Sequence, residues 1–115
     1  MSNLGQLVFT GISGTILTDE EKNFIEKENI GGVILFSENY ESPAQLAELV
    51  NSIQALREEY PLFIAVDHEG GRVVRFKNHF TKIPAMLELA KTESPKYTDI
   101  TTLNLVNHNF PFVVF

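Results

Sequence analysis

Two runs of this chain are apolar at every position: Val33-Ile34-Leu35-Phe36 and Leu62-Phe63-Ile64-Ala65-Val66. A strand without a polar face is buried on both sides, which is the habit of parallel sheets covered by helices. The segment between the two runs carries Leu46, Leu49, Val50, Ile53 and Leu56 at helical spacing, a single apolar stripe. Strand, amphipathic helix and strand make a right-handed β-α-β crossover. That unit constrains everything else in the chain.

The flanking elements repeat the pattern. Leu7-Val8-Phe9-Thr10 reads as a first strand, followed by a turn over Gly11 to Gly14. Thr18-Asp19-Glu20-Glu21 fits a capping box, with acids suited to the helix dipole, so a helix is expected from about Asp19 to Glu28. Ile30-Gly31-Gly32 ends it. Ser37 to Tyr40 reads as a loop. Ser42-Pro43-Ala44-Gln45 starts the second helix, with Ser as N-cap, Pro at the first helical position and Gln three after the cap; Pro61 is expected to stop it. Lys77 to Lys82 reads as polar loop, and Pro84 opens a third helix with Met86, Leu87, Leu89 and Ala90 on its apolar side. The order is β-α-β-α-β, then loop, then α. The fold class is α/β, and a (β/α)8 barrel and an open doubly wound sheet both begin this way.

Composition narrows the partners. Fifteen acids against nine bases give a formal charge of −6, which disfavours nucleic acid and anionic membrane. Cysteine is absent, so neither a disulfide framework nor a thiolate metal site is expected, in keeping with a reducing, cytoplasmic setting. The first residues show no signal-peptide pattern, and no apolar run approaches the ~20 residues of a membrane span.

The chemistry is concentrated at the end of the third strand. Ala65-Val66 runs into Asp67-His68-Glu69-Gly70-Gly71-Arg72, then Val73-Val74-Arg75-Phe76. A buried parallel strand delivers polar groups to a ligand site at its C-terminal end, which is where Asp67 falls. Gly70 and Gly71 let the backbone turn sharply beneath a ligand. Asp67-His68-Glu69 does not read as a metal site, because adjacent residues of an extended run point in alternating directions and no second cluster exists. Gly70-Gly71 lacks the pattern of a phosphate loop. Read without further context, Asp67 serves equally as a cap on the turn after the strand, and Arg75 as a surface ion-pair partner.

Together with Gly31-Gly32-Val33-Ile34-Leu35-Phe36, Asn39-Tyr40 and Phe80-Thr81-Lys82-Ile83-Pro84, this stretch resembles the N-terminal part of glycoside hydrolase family 3. The likeness is to its bacterial β-N-acetylhexosaminidases of peptidoglycan recycling, and runs from about Gly11 to Lys96. The resemblance implies the N-terminal portion of a (β/α)8 TIM barrel, incomplete in this chain, since such a barrel takes ~250 residues. It implies release of a terminal N-acetylglucosamine with retention, from a β-linked glycan or muropeptide, with no metal or organic cofactor. It assigns Asp67 to the hydroxyls of the terminal sugar and Arg75 to the same sugar. Glu69 and Arg72 are expected to brace the loop, Asn39 and Tyr40 to serve loop structure before lining a pocket, and His68 to have no role.

Departures from the family pattern bound the expectation. Retaining glycosidases need a nucleophilic carboxylate and a proton donor. In the resembled family the nucleophile is an Asp far downstream, and the acid/base is a His on a Lys-His-Phe-Pro-Gly-His-Gly loop. No such loop occurs among these 115 residues, so no catalytic residue is carried over. Residues 1–96 are expected to form the partial domain and 97–115 a divergent, β-prone tail that looks truncated or frame-shifted. The isolated chain is expected to be inactive, and to self-associate through uncovered strand edges. Two alternatives stand beside this reading: a non-catalytic sugar-binding module and a non-functional gene remnant.

Overall fold

The computed structural model describes residues 3–80, 82 and 84–96, and the backbone of residues 113–114. Four strands, β1 (Phe9–Thr10), β2 (Gly32–Leu35), β3 (Phe63–Val66) and β4 (Val113–Val114), form one sheet in the order β1-β2-β3-β4. Every pairing is parallel. Helix α1 (Asp19–Lys27) joins β1 to β2, α2 (Pro43–Gln54) joins β2 to β3, and α3 (Met86–Lys91) follows β3. Each strand lies beside its predecessor, so the chain steps around the sheet in one direction. A doubly wound sheet reverses direction near its first strand, whereas a barrel does not. The fold is α/β, the opening portion of a (β/α)8 barrel.

Register decides what each strand residue faces. Val33 pairs with Ile64 and Leu35 with Val66, and all four are buried. They join Ile25 of α1 and Leu46, Leu49, Val50 and Ile53 of α2 in one core. Side chains alternate along a strand, so Phe9, Gly32, Ile34, Phe63 and Ala65 occupy the opposite face, which in a closed barrel is the interior. There the Phe9 and Phe63 rings lie 6.3 Å apart. Gly32 stands between them in register, and a Cβ at that position would run into the Phe9 ring.

Helix starts are set locally. Thr18 accepts from the Glu21 N–H while the Glu21 carboxylate accepts from the Thr18 N–H, a complete capping box. The other Glu21 oxygen accepts from the Ser13 N–H at 2.7 Å, which ties α1 to the loop after β1. Partial burial pushes the Glu21 carboxyl pKa up, but the hydrogen bonds from Thr18 and Ser13 outweigh it and hold the group below its ordinary value. Ser42 caps α2 by accepting from the Gln45 N–H, with Pro43 at the first position. The Gln45 side chain reaches Glu41 rather than the cap residue, and also donates to the carbonyls of Thr15 and Asn39.

Several boundaries differ from the sequence reading. Leu7 is not in β1 but ends a 3-10 turn over Leu4–Leu7, and it is exposed. The Gly31 N–H bonds to carbonyls of Gly5 and Val8, so the ladder to β2 begins only at Phe9. Helix α2 ends at Gln54, well before Pro61. The Gln54 amide replaces the missing turn by donating to the Leu62 carbonyl at 2.7 Å and accepting from the Leu62 N–H at 2.9 Å. In α3 only Leu89 is buried, while Met86, Leu87 and Ala90 are exposed. Ser37–Asn39 is a 3-10 turn within the expected loop. Of the tail, residues 97–112 and 115 lie outside the described residues, and Val113–Val114 pairs in parallel with Ile64–Ala65. No helix among the described residues is long and apolar enough to cross a membrane.

Leu46, fully buried, should cost about 2–5 kcal/mol on replacement by Ala. Leu87→Ala, at an exposed position, should stay within about 0.5 kcal/mol. Urea denaturation of both variants checks the pair. The Glu21 contribution should be full above its ordinary pKa of 4.5 and lost as pH falls through the lowered folded value. Denaturation midpoints followed into acid should flatten over that window in Glu21→Gln.

Candidate sugar-binding site

Asp67 follows the last residue of β3 and has the same parity as Phe63 and Ala65. It therefore tops the face turned away from the helices, half-buried, with no hydrogen bond to its carboxylate among the described residues. His68, one step on, is buried instead, its ring 6.1 Å from Phe76. The two side chains are accommodated on different sides of the chain. Among the described residues no group of three His, Cys, Asp or Glu side chains could hold a metal ion.

Beyond His68 the chain folds back on itself. Glu69 and Gly70 donate to the Val73 carbonyl, and Val73 donates to the Gly70 carbonyl. Gly70 and Gly71 have φ of 88° and 57°, the left-handed region that glycine enters without penalty. A Cβ on Gly71 would also lie 2.6 Å from that of Ala85. The loop is thus braced by its backbone. Glu69 takes part through its backbone N–H, while the side chains of Glu69 and Arg72 are exposed and bond to no described residue.

The returning strand of the loop delivers Arg75 and Phe76. Phe76 is buried in the core. Arg75 is half-buried, and its guanidinium carbon lies 5.5 Å from the centroid of Phe36, the residue after β2. A cation over an aromatic face at this range is favourable by about 0.5–2 kcal/mol. The Arg75 Nε is buried and has no hydrogen-bond partner among the described residues. A buried donor left without an acceptor is costly. Asp67 at the end of β3 and Arg75 beside Phe36, the residue after β2, thus both lie at the C-terminal rim of the sheet.

Asn39 is fully buried, and its amide is fully used. Its oxygen accepts from the Phe36 N–H at 2.8 Å, and its nitrogen donates to the carbonyls of Ile12 and Gly14. It ties the loops after β1 and β2 together, so its part is structural. Tyr40 packs on Phe76 and Phe80, and its hydroxyl donates to the Asn78 carbonyl. Burial pushes the Tyr40 phenol pKa up. The sequence reading placed Phe36 inside the second strand and gave it no part in the site; β2 ends at Leu35, and Phe36 follows it under the Arg75 guanidinium. A cavity of about 660 Å³ lies elsewhere, lined by Asn3, Gln6, Asn29, Arg57 and Tyr60. These residues precede the strands, at the end opposite Asp67, the end at which β/α barrels do not place their chemistry.

A one-way β/α run with an acid and a guanidinium on its C-terminal rim defines the opening of a β/α barrel, with polar groups at the end where such folds place their chemistry. The chain belongs to glycosyl hydrolase family 3, whose N-terminal domain matches residues 2–107. A beta-hexosaminidase of Methylobacillus flagellatus is 54% identical over 84 residues, covering 73% of this chain and 24% of that protein. The beta-hexosaminidase of Nitrosomonas eutropha is 52% identical over 90 residues, covering 78% and 25%. Among solved structures, NagZ from Neisseria gonorrhoeae in complex with N-trifluoroacetyl-D-glucosamine superposes with a TM-score of 0.71 at 42% identity, covering 82% of this chain and 27% of that one. A family 3 beta-N-acetylglucosaminidase from Paenibacillus sp. str. FPU-7 gives 0.78 at 34% identity, covering 83% and 19%. The chain spans about a quarter of the length of these curated relatives.

Asn39→Ala should strand the Phe36 N–H and the Ile12 and Gly14 carbonyls, at about 1–3 kcal/mol for each group that water cannot reach. A urea midpoint lowered well beyond that of an exposed substitution such as Leu87→Ala is the expected result.

Proposed function

We propose that this chain carries the sugar-recognition half of a family 3 β-N-acetylhexosaminidase site. The carrying observation is that Asp67, with no bond to its carboxylate among the described residues, and the half-buried Arg75 beside Phe36 both lie at the C-terminal rim of the sheet. An ionised carboxylate accepts from two neighbouring hydroxyls, and a guanidinium donates along a fixed fork. That pairing suits the hydroxyl edge of a pyranose. Likeness to beta-hexosaminidases, and to a NagZ solved with an N-acylated glucosamine, supports N-acetylglucosamine as the sugar.

The reaction of the complete enzyme is then removal of a terminal N-acetylglucosamine from a β-linked glycan or muropeptide, with retention, as in cytoplasmic peptidoglycan recycling. Cleavage requires a carboxylate nucleophile and an acid/base on opposite sides of the bond. Neither the family's nucleophile nor its His-containing loop occurs in these 115 residues. On its own the chain binds and does not cleave. Uncovered strand edges favour its self-association.

Titration with N-acetylglucosamine, followed by NMR of the 115-residue chain, is expected to move resonances of Asp67, Gly70, Gly71 and Arg75 at millimolar sugar, about the weak end of the affinity scale. Asp67→Ala should abolish those shifts. No shift in the unsubstituted chain would end the recognition reading. Turnover of a chromogenic β-N-acetylglucosaminide, lost in Asp67→Ala, would end the claim that it does not cleave.

A further inference from the structure

The loop after β2 packs against the guanidinium of Arg75. Phe36 presents its ring to the cation, and its backbone is fixed from both sides: its N–H donates to Asn39 Oδ1, and its carbonyl accepts from the Asn39 N–H. Tyr40, four residues on, controls the segment that carries Arg75. Its ring centroid lies 4.9 Å from that of Phe76, the next residue after Arg75. Its hydroxyl donates to the Asn78 carbonyl further along the same loop. Phe80 closes the cluster, 5.6 Å edge-on from Tyr40 and 5.5 Å from Phe76.

We propose that Phe36 and Tyr40 are positioning residues for Arg75: the ring of Phe36 orients the guanidinium, and Tyr40 fixes the backbone on its C-terminal side, so that the Nε–H stays shielded from solvent and the guanidinium is held at the rim where the sugar is placed. This rests on the sugar-recognition reading for the ligand, though not for the positioning. The physical ground is the orphaned Nε itself. An arginine on a free surface loop turns that donor to water or a carbonyl. Here the aromatic face satisfies the cation without accepting a directed N–H bond, which leaves the donor unspent. Both aromatic residues act through Arg75 and the segment that carries it.

The test separates positioning from binding. The Arg75 Nε–H signal of the labelled chain is followed without sugar, and its exchange with solvent is compared among variants. In Phe36→Leu, exchange should speed up by about tenfold, the scale of a lost cation–π contact. The backbone amide spectrum of β1 to β3 should stay in place, and Phe36→Tyr should restore slow exchange. Tyr40→Phe keeps the ring and removes the hydroxyl, so it is the variant that folds even if Phe36→Leu does not; it should speed exchange by several-fold. Unchanged exchange in Tyr40→Phe and in any folded Phe36→Leu overturns the proposal. Sugar titration then runs separately. Weaker N-acetylglucosamine binding in the same variants, with Asp67 intact, extends the positioning to recognition. If the unsubstituted chain binds no sugar, the recognition reading falls, and the exchange data alone decide the positioning.

Discussion

Everything downstream depends on the parallel register between β2 and β3. Gly32 against Phe63 and Leu35 against Val66 put Val33, Leu35, Ile64 and Val66 under the two helices. The same alternation puts Asp67 on the other face. A slip of one residue would exchange the two faces, burying the carboxylate under α2 and turning the aliphatic residues away from it. The apolar core and the candidate site are therefore fixed by one geometric choice. Core packing strong enough to hold the register also holds the acid.

The loop after β3 adds the second polar group by a different means. Its turn is a backbone structure that two glycines with positive φ make possible. Its far side is an aromatic structure in which Phe76 plugs the core and Phe36 receives the cation. Hydrogen bonds to buried carbonyls, with Asn39 as the shared donor, stop the loops after β1 and β2 from moving independently. The rim of the sheet is thus cross-braced between the loops after β1 and β2.

What could be read from residue order was mostly local. The Thr18 to Glu21 cap and the Ser42-Pro43 start are one-turn interactions, complete within a few residues, and they appear where expected. The stripe from Leu46 to Ile53 is buried because helical period and burial are the same fact. Misreadings arose where a distant group decided. Leu7 left the strand because Gly31 takes the carbonyls of the preceding turn. The end of α2 was set by the Gln54 amide reaching Leu62, and not by Pro61. The apolar residues of α3 other than Leu89 found no described surface to cover them.

The sequence by itself determined the parallel β/α class, the two helix caps, and an acid at the end of a buried strand. These follow from period, capping chemistry and the abrupt end of an apolar run, each carried by neighbours in the chain. Only tertiary structure decided that the strands advance in one direction, as in a barrel. It alone showed that the Asn39 amide is spent on three backbone groups, and that Arg75 rests over Phe36 with its Nε unpaired among the described residues. Strand order and the partner of a side chain are relations between segments far apart in the chain. No local preference encodes them; they exist once the sheet has brought those segments together.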